Sequence, residues 1–254
     1  MRIKKPYTMI STFSTSLNRK VSFYFFSTLK DDEEGPLLIM HDGQNLFDDQ
    51  KAAYGASWRF METMLDPKCP KIRVLGISNS ESFEERIDEY SPYVRRNFKG
   101  EGLSRPCGGK GDLYLSYVMN EVLPKYKSKY PTSKVYMGGS SLGGVITLIA
   151  ALDYADQIDG AFGLSNSWWF VEKQIVRKIK HFKGVLPQLY LDTGTKESEN
   201  PKTNLDYLKS QETILNALTH KENNGIRAEM IQGAKHFETD WASRLLDVLS
   251  WLIK

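Results

Sequence analysis

The sequence predicts an α/β fold with a mostly parallel central sheet and helices on both faces. Three observations carry the prediction. Short apolar runs alternate with longer amphipathic stretches along most of the 254 residues. That length suits one large domain, residues 1–254, better than two small ones. A glycine-rich turn, Gly138-Gly139-Ser140-Ser141-Leu142-Gly143-Gly144, joins an apolar run to a stretch rich in Ile, Leu and Ala, which is a strand–turn–helix pattern.

In chain order, strands are expected at residues 21–27 and, after the turn Glu34-Gly35-Pro36, at 37–40. They precede the regular alternation, so an antiparallel edge is expected there. Amphipathic periodicity predicts a helix over 58–65, followed by a strand at 72–78. Residues 79–111 break the pattern: they show little periodicity and contain several Gly and Pro. A loop this long in a compact domain is usually functional or disordered. It follows a strand, on the side where α/β sheets bind ligands, so it is expected to cover the active-site edge. Beyond it the alternation is regular. Helices are expected at 113–130, 142–155, 171–180, 205–223 and 239–252, and strands at 134–137, 160–164, 188–192 and 227–232.

Composition narrows the class. Hydrophobic residues make up 41% and charged residues 26%, ordinary values for a globular protein. With 34 basic and 31 acidic side chains the net charge is +3, which gives no electrostatic case for nucleic acid as a partner. No apolar run approaches a membrane span. The N-terminal Met1-Arg2-Ile3-Lys4-Lys5-Pro6 is basic, but Tyr7-Thr8-Met9-Ile10-Ser11-Thr12 is too polar for a signal-peptide core. The expected location is cytoplasmic, with no membrane partner. Cys69 and Cys107 are the two cysteines. They are too far apart to suggest a metal site or a disulfide framework, and read as reduced thiols in loops.

The strongest chemical signal is Gly139-x-Ser141-x-Gly143 in its strand–turn–helix setting. A turn this sharp would make flanking side chains clash, so small residues are needed two positions either side of the serine. The hydroxyl then projects from the turn, and the Leu142 amide at the helix start points at a developing oxyanion. A nucleotide site is the competing use of such a turn. It fails on spacing, because neither a Gly-x-x-x-x-Gly-Lys-Ser/Thr nor a Gly-x-Gly-x-x-Gly run is present.

A serine nucleophile needs a base, and in hydrolases of this pattern the order along the chain is serine, acid, histidine. Of the four histidines, His41 precedes the serine, while His181 and His220 sit at polar helix ends. His236 follows the last expected strand and is the candidate base. The acid should follow the strand at 188–192, which offers Asp192 and Glu197. Glu197 is preferred because it lies beyond Gly194 in the loop where the histidine arrives, and its longer side chain reaches further. A second oxyanion donor is expected after residues 37–40, from the amide of Gln44 or Gly43 in His41-Asp42-Gly43-Gln44. Trp168 and Trp169, after the strand at 160–164, are candidate apolar pocket walls, and Arg86 a candidate polar substrate contact. Two tryptophans filling the core would be the alternative.

These blocks together resemble the putative-esterase family of α/β-hydrolases, which includes esterase D, feruloyl and acetylxylan esterases and enterochelin-type siderophore esterases. The matching runs are His41-Asp42-Gly43-Gln44-Asn45-Leu46-Phe47, Arg86-Ile87-Asp88-Glu89-Tyr90-Ser91-Pro92, Gly108-Gly109-Lys110-Gly111-Asp112, the serine turn, Gly194-Thr195-Lys196-Glu197 and His236-Phe237-Glu238. The resemblance implies an α/β-hydrolase fold, no cofactor, and a small-molecule carboxylic ester as substrate. The Gly-x-x-Glu spacing at Gly194 matches a Gly-x-x-Asp pattern of such hydrolases, with Glu in place of the commoner Asp. The resulting expectation is a serine esterase working through an acyl-enzyme on Ser141. An acyltransferase on the same fold, or a non-catalytic binding protein, is the alternative.

Overall fold

The computed structural model describes residues 7–96 and 103–253. Its centre is an eight-stranded sheet: β1 (Thr8–Ser14), β2 (Arg19–Ser27), β3 (Gly35–Met40), β4 (Arg73–Ile77), β5 (Thr132–Ser140), β6 (Gly160–Leu164), β7 (Gln188–Lys196) and β8 (Ile226–Lys235), in the order β1-β2-β4-β3-β5-β6-β7-β8. β1 and β2 pair antiparallel with each other, and β2 antiparallel with β4. Every later pairing is parallel. The antiparallel edge expected of the early strands holds for β2, whereas β3 lies inside the sheet and pairs parallel with both β4 and β5. β1 itself was not expected: six of its seven residues are exposed, so it lacks the half-buried alternation that marks a strand in sequence.

Strand alternation divides the core into two layers. On β3, Leu37 and Ile39 face one cluster and Leu38 and Met40 the other. On β7, Leu189 and Leu191 take the first side and Tyr190 the second. The first layer is covered by α2 (Phe83–Glu89), α3 (Gly111–Tyr117), α4 (Leu123–Lys129), α5 (Leu142–Asp153), α6 (Glu172–His181) and α7 (Pro201–Leu218). α1 (Phe60–Leu65) and α8 (Glu238–Leu252) cover the second. The amphipathic stretch expected as one helix over 113–130 runs α3, a π turn at Val118–Val122, then α4. Pro124 stands at the start of α4 and has no amide proton for the preceding turn, which accounts for the break in the regular ladder.

Two differences matter for the site. β5, β7 and β8 run longer than their apolar cores, because Gly138–Ser140, Thr193–Lys196 and Gly233–Lys235 continue the ladder at the sheet's C-terminal edge. The segment 79–111 is not all loop. It contains α2, capped by Ser82, whose hydroxyl accepts from the Glu85 amide. Residues 97–102 of this segment lie outside the described residues.

Candidate active site

Ser141 sits between β5 and α5 with φ 59° and ψ −125°, a left-handed conformation that a serine adopts only when its surroundings enforce it. The glycines explain how. A Cβ on Gly139 would lie 2.7 Å from the Gly143 carbonyl carbon, so the turn closes only with glycine there. Backbone bonds fix the rest: the Ser141 amide donates to the Leu164 carbonyl at 3.0 Å, and the Ser167 amide donates to the Ser141 carbonyl at 3.2 Å. The Leu142 amide opens α5, at the helix end where partial positive charge gathers.

His236 and Glu197 meet because of strand register. A bulge in β8, where Gln232–Ala234 face the single residue Thr195 of β7, shifts the pairing so that Lys196 lies opposite Lys235, which leaves Glu197 and His236 as the residues that follow these adjacent strands. His236 Nδ1 is 2.8 Å from Glu197 Oε2. The Glu197 side chain is fully buried, and its Oε1 accepts from the Gly194 amide and, at 3.4 Å, from Thr193 Oγ1. The His236 ring packs 5.2 Å from Trp241, edge on, and 5.5 Å from Tyr207. Tyr207 connects to the serine: its hydroxyl is 3.0 Å from Ser167 Oγ, which is 3.1 Å from Ser141 Oγ.

Asp192, the other acidic candidate, points elsewhere. It shares the face of Tyr190, towards α8, where Arg244 donates to both its oxygens at 2.6 and 3.0 Å. The Ser165 amide donates to it at 2.9 Å as well. It is 0% exposed.

The turn after β3 borders the serine elbow. A Cβ on Gly143 would lie 3.4 Å from Asp42 Oδ2 and 3.5 Å from His41 Cβ. Gly43 presses against β4, since a Cβ there would lie 2.5 Å from the Gly76 carbonyl carbon. Gln44 follows in a short 3-10 turn, Gly43–Asn45. Asp42, with φ 54°, anchors this turn. Arg86 Nε and Nη2 donate to its two carboxylate oxygens at 2.8 Å each, Asn79 Nδ2 donates at 2.6 Å, and the Asp42 amide donates to Tyr90 OH at 3.0 Å. Burial would raise the Asp42 carboxyl, but the Arg86 charge and hydrogen bonds hold it below the usual carboxylate range. Arg86, expected as a substrate contact, is thus engaged beneath the turn, and the described part of residues 79–111 buttresses the site. Glu238 ties this turn to the histidine loop by accepting from Asn45 Nδ2 at 3.4 Å, and burial pushes its carboxyl up.

Trp168 is 0% exposed and donates its indole N–H to Gln211 Oε1 at 2.6 Å, which makes it core and not a pocket wall. Trp169 is partly exposed and stands 5.9 Å from Tyr207, beside the serine–histidine region. Asp42, Asn79, Ser167, Tyr207 and Arg244 were not singled out in the sequence. Only Asp42 lies in a run that stands out there; Tyr207 is one aromatic in a long helix.

A family model described as "Putative esterase" matches residues 14–252. "Uncharacterized protein YbbA" of Bacillus subtilis (strain 168) is 24% identical over 244 residues, covering 92% of each chain. Among solved structures, BES protein from Bacillus cereus superposes with a TM-score of 0.77 at 17% identity, covering 100% of this chain and 98% of that one. The enterobactin esterase FES from Shigella flexneri superposes with a TM-score of 0.71 at 17% identity. The match covers 99% of this chain, which spans 60% of that enzyme's length.

Proposed function

The chain belongs to the putative-esterase family of α/β-hydrolases, and on that premise we propose that it hydrolyses small carboxylic esters through an acyl-enzyme on Ser141. The observation that carries the reading is the strained serine at the elbow, on the same sheet edge as a histidine held by a buried carboxylate. In this mechanism His236 Nε2 takes the Ser141 hydroxyl proton as Oγ attacks the ester carbonyl. Glu197 holds Nδ1 protonated, which presents Nε2 as the base and stabilises the imidazolium once formed. The Leu142 amide and the Gln44 amide hold the oxyanion. His236 then protonates the leaving alcohol, and a water activated by the same imidazole releases the acid.

Kinetics with p-nitrophenyl acetate test the reading. Ser141→Ala should lower kcat by about 10³-fold or more with the fold retained by circular dichroism. A folded variant within tenfold of wild type would remove Ser141 from the mechanism.

A further inference from the structure

Two hydroxyls beside the nucleophile have no part in the mechanism above. Ser141 Oγ lies 3.1 Å from Ser167 Oγ, and Ser167 Oγ lies 3.0 Å from Tyr207 OH. Both are buried, Ser167 at 3% exposure and Tyr207 at 6%. Ser167 is also tied to Ser141 through the backbone, and the Tyr207 ring packs against His236.

Chemistry sets the direction of these bonds. A hydroxyl has one proton to donate and lone pairs with which to accept. If Ser141 gives its proton to His236, its oxygen accepts from Ser167. Ser167 then has no proton left for Tyr207 and accepts from the phenol. The order compatible with attack is Tyr207 O–H to Ser167 Oγ, and Ser167 O–H to Ser141 Oγ. Bonds aligned head to tail in a buried setting polarise one another.

We infer that Ser167, backed by Tyr207, forms a hydroxyl relay that stabilises the charge developing on Ser141 Oγ as its proton leaves. This rests on the assignment of Ser141 and His236 made above. During acylation the Ser141 proton passes to His236 Nε2, Oγ bonds to the carbonyl carbon, and the C=O π pair moves onto the carbonyl oxygen. Ser167 and Tyr207 keep their protons throughout. In deacylation the C–Oγ bonding pair returns to Oγ as the acyl bond breaks, the same donor stabilises it there, and His236 gives Oγ the proton it took from the attacking water. Ser167 thus touches a reacting atom, while Tyr207 is a positioning residue acting through it.

The opposite order, with Ser141 donating to Ser167, would park the nucleophile, and removing Ser167 would then speed the reaction. Ser167→Ala, Ser167→Thr, Tyr207→Phe and the Ala/Phe double variant separate these cases with p-nitrophenyl acetate turnover and the rate of fluorophosphonate labelling. The relay predicts that Ser167→Ala slows both by about 10- to 100-fold, as expected for losing a hydrogen bond to a charged oxygen. Ser167→Thr should recover most of the loss. Tyr207→Phe should cost less, about 3- to 10-fold, and nothing further when added to Ser167→Ala. Tyr207→Phe, which keeps the ring, carries the test alone if Ser167→Ala does not fold. Unchanged or faster labelling in folded Ser167→Ala, or additive losses in the double variant, would overturn the relay while leaving a labelled Ser141 in place. A wild type that is not labelled would overturn the assignment beneath it.

Discussion

At the residue scale, Asp192 within β7 and Glu197 just beyond its end are divided by the partner each meets. Asp192 is committed to Arg244 in a buried pair, and Glu197 is committed to His236. Glu197→Gln should therefore lower kcat by about 10²–10⁴ through lost imidazolium stabilisation and orientation, with little change in stability. Asp192→Asn should leave the Arg244 charge buried without its partner and cost about 3 kcal/mol of stability, read from urea unfolding. The reverse pattern would exchange the two roles. Position along the chain placed both residues after the right strand and could not separate them. What separates them is β alternation beyond Leu191, together with an arginine on a helix some fifty residues further on. Ser141 and His236 were legible because each sits in a short run with a local signature. Ser167 and Tyr207 carry none, since their contact with the serine exists only once β6 and α7 have packed.

At the scale of elements, the site is assembled by overruns and turns at one edge of the sheet. β5 leads into the strained serine, and the β8 bulge brings Lys235 opposite Lys196, so that Glu197 and His236 follow side by side. The apolar cores of these strands were readable from sequence, whereas their Gly- and Thr-containing ends read as loop. The helix hidden in residues 79–111 had a legible cap, Ser82-x-x-Glu85, but at seven residues it was too short for periodicity to show. Its work is to hold the turn after β3 through Arg86 and Tyr90. Arg86→Gln would leave Asp42 buried with an unpaired charge, at a cost of about 3 kcal/mol. For a chain of this size that lowers Tm by roughly 10 °C. Because the Gln44 amide rides on this turn, kcat should fall roughly tenfold as well, less than the roughly 10²–10³ of losing an oxyanion donor outright. Calorimetry and turnover measured on the same variant check both, and a normal Tm would show that the pair does not anchor the turn.

At the scale of the whole molecule, the fold class followed from the strand–helix alternation, the chain length and the glycine-rich turn together, and the family block after β3 is as much structural as chemical. His41 illustrates this. It is 1% exposed, its Nδ1 lies 2.8 Å from Tyr114 OH, and its ring packs against both Tyr90 and Tyr114. Burial lowers it from 6.5 to about 4, with the Asp42 charge opposing and Arg86 adding. The unfolded chain therefore binds a proton here that the folded chain refuses between those values, so acidification favours unfolding. The loss begins as pH drops through 6.5 and amounts to about 3 kcal/mol once pH is below the folded value. Urea midpoints followed from neutral pH to 4 should show this slope in wild type and a shallower one in His41→Gln; parallel curves would mean that His41 does not contribute. The central claim, that Ser141 is the nucleophile of an esterase site, is tested most directly by reacting the protein with a fluorophosphonate and mapping the adduct by mass spectrometry. One adduct on Ser141, absent in Ser141→Ala and slow to form in folded His236→Ala, is the predicted result. No adduct, or one that persists in Ser141→Ala, would contradict it.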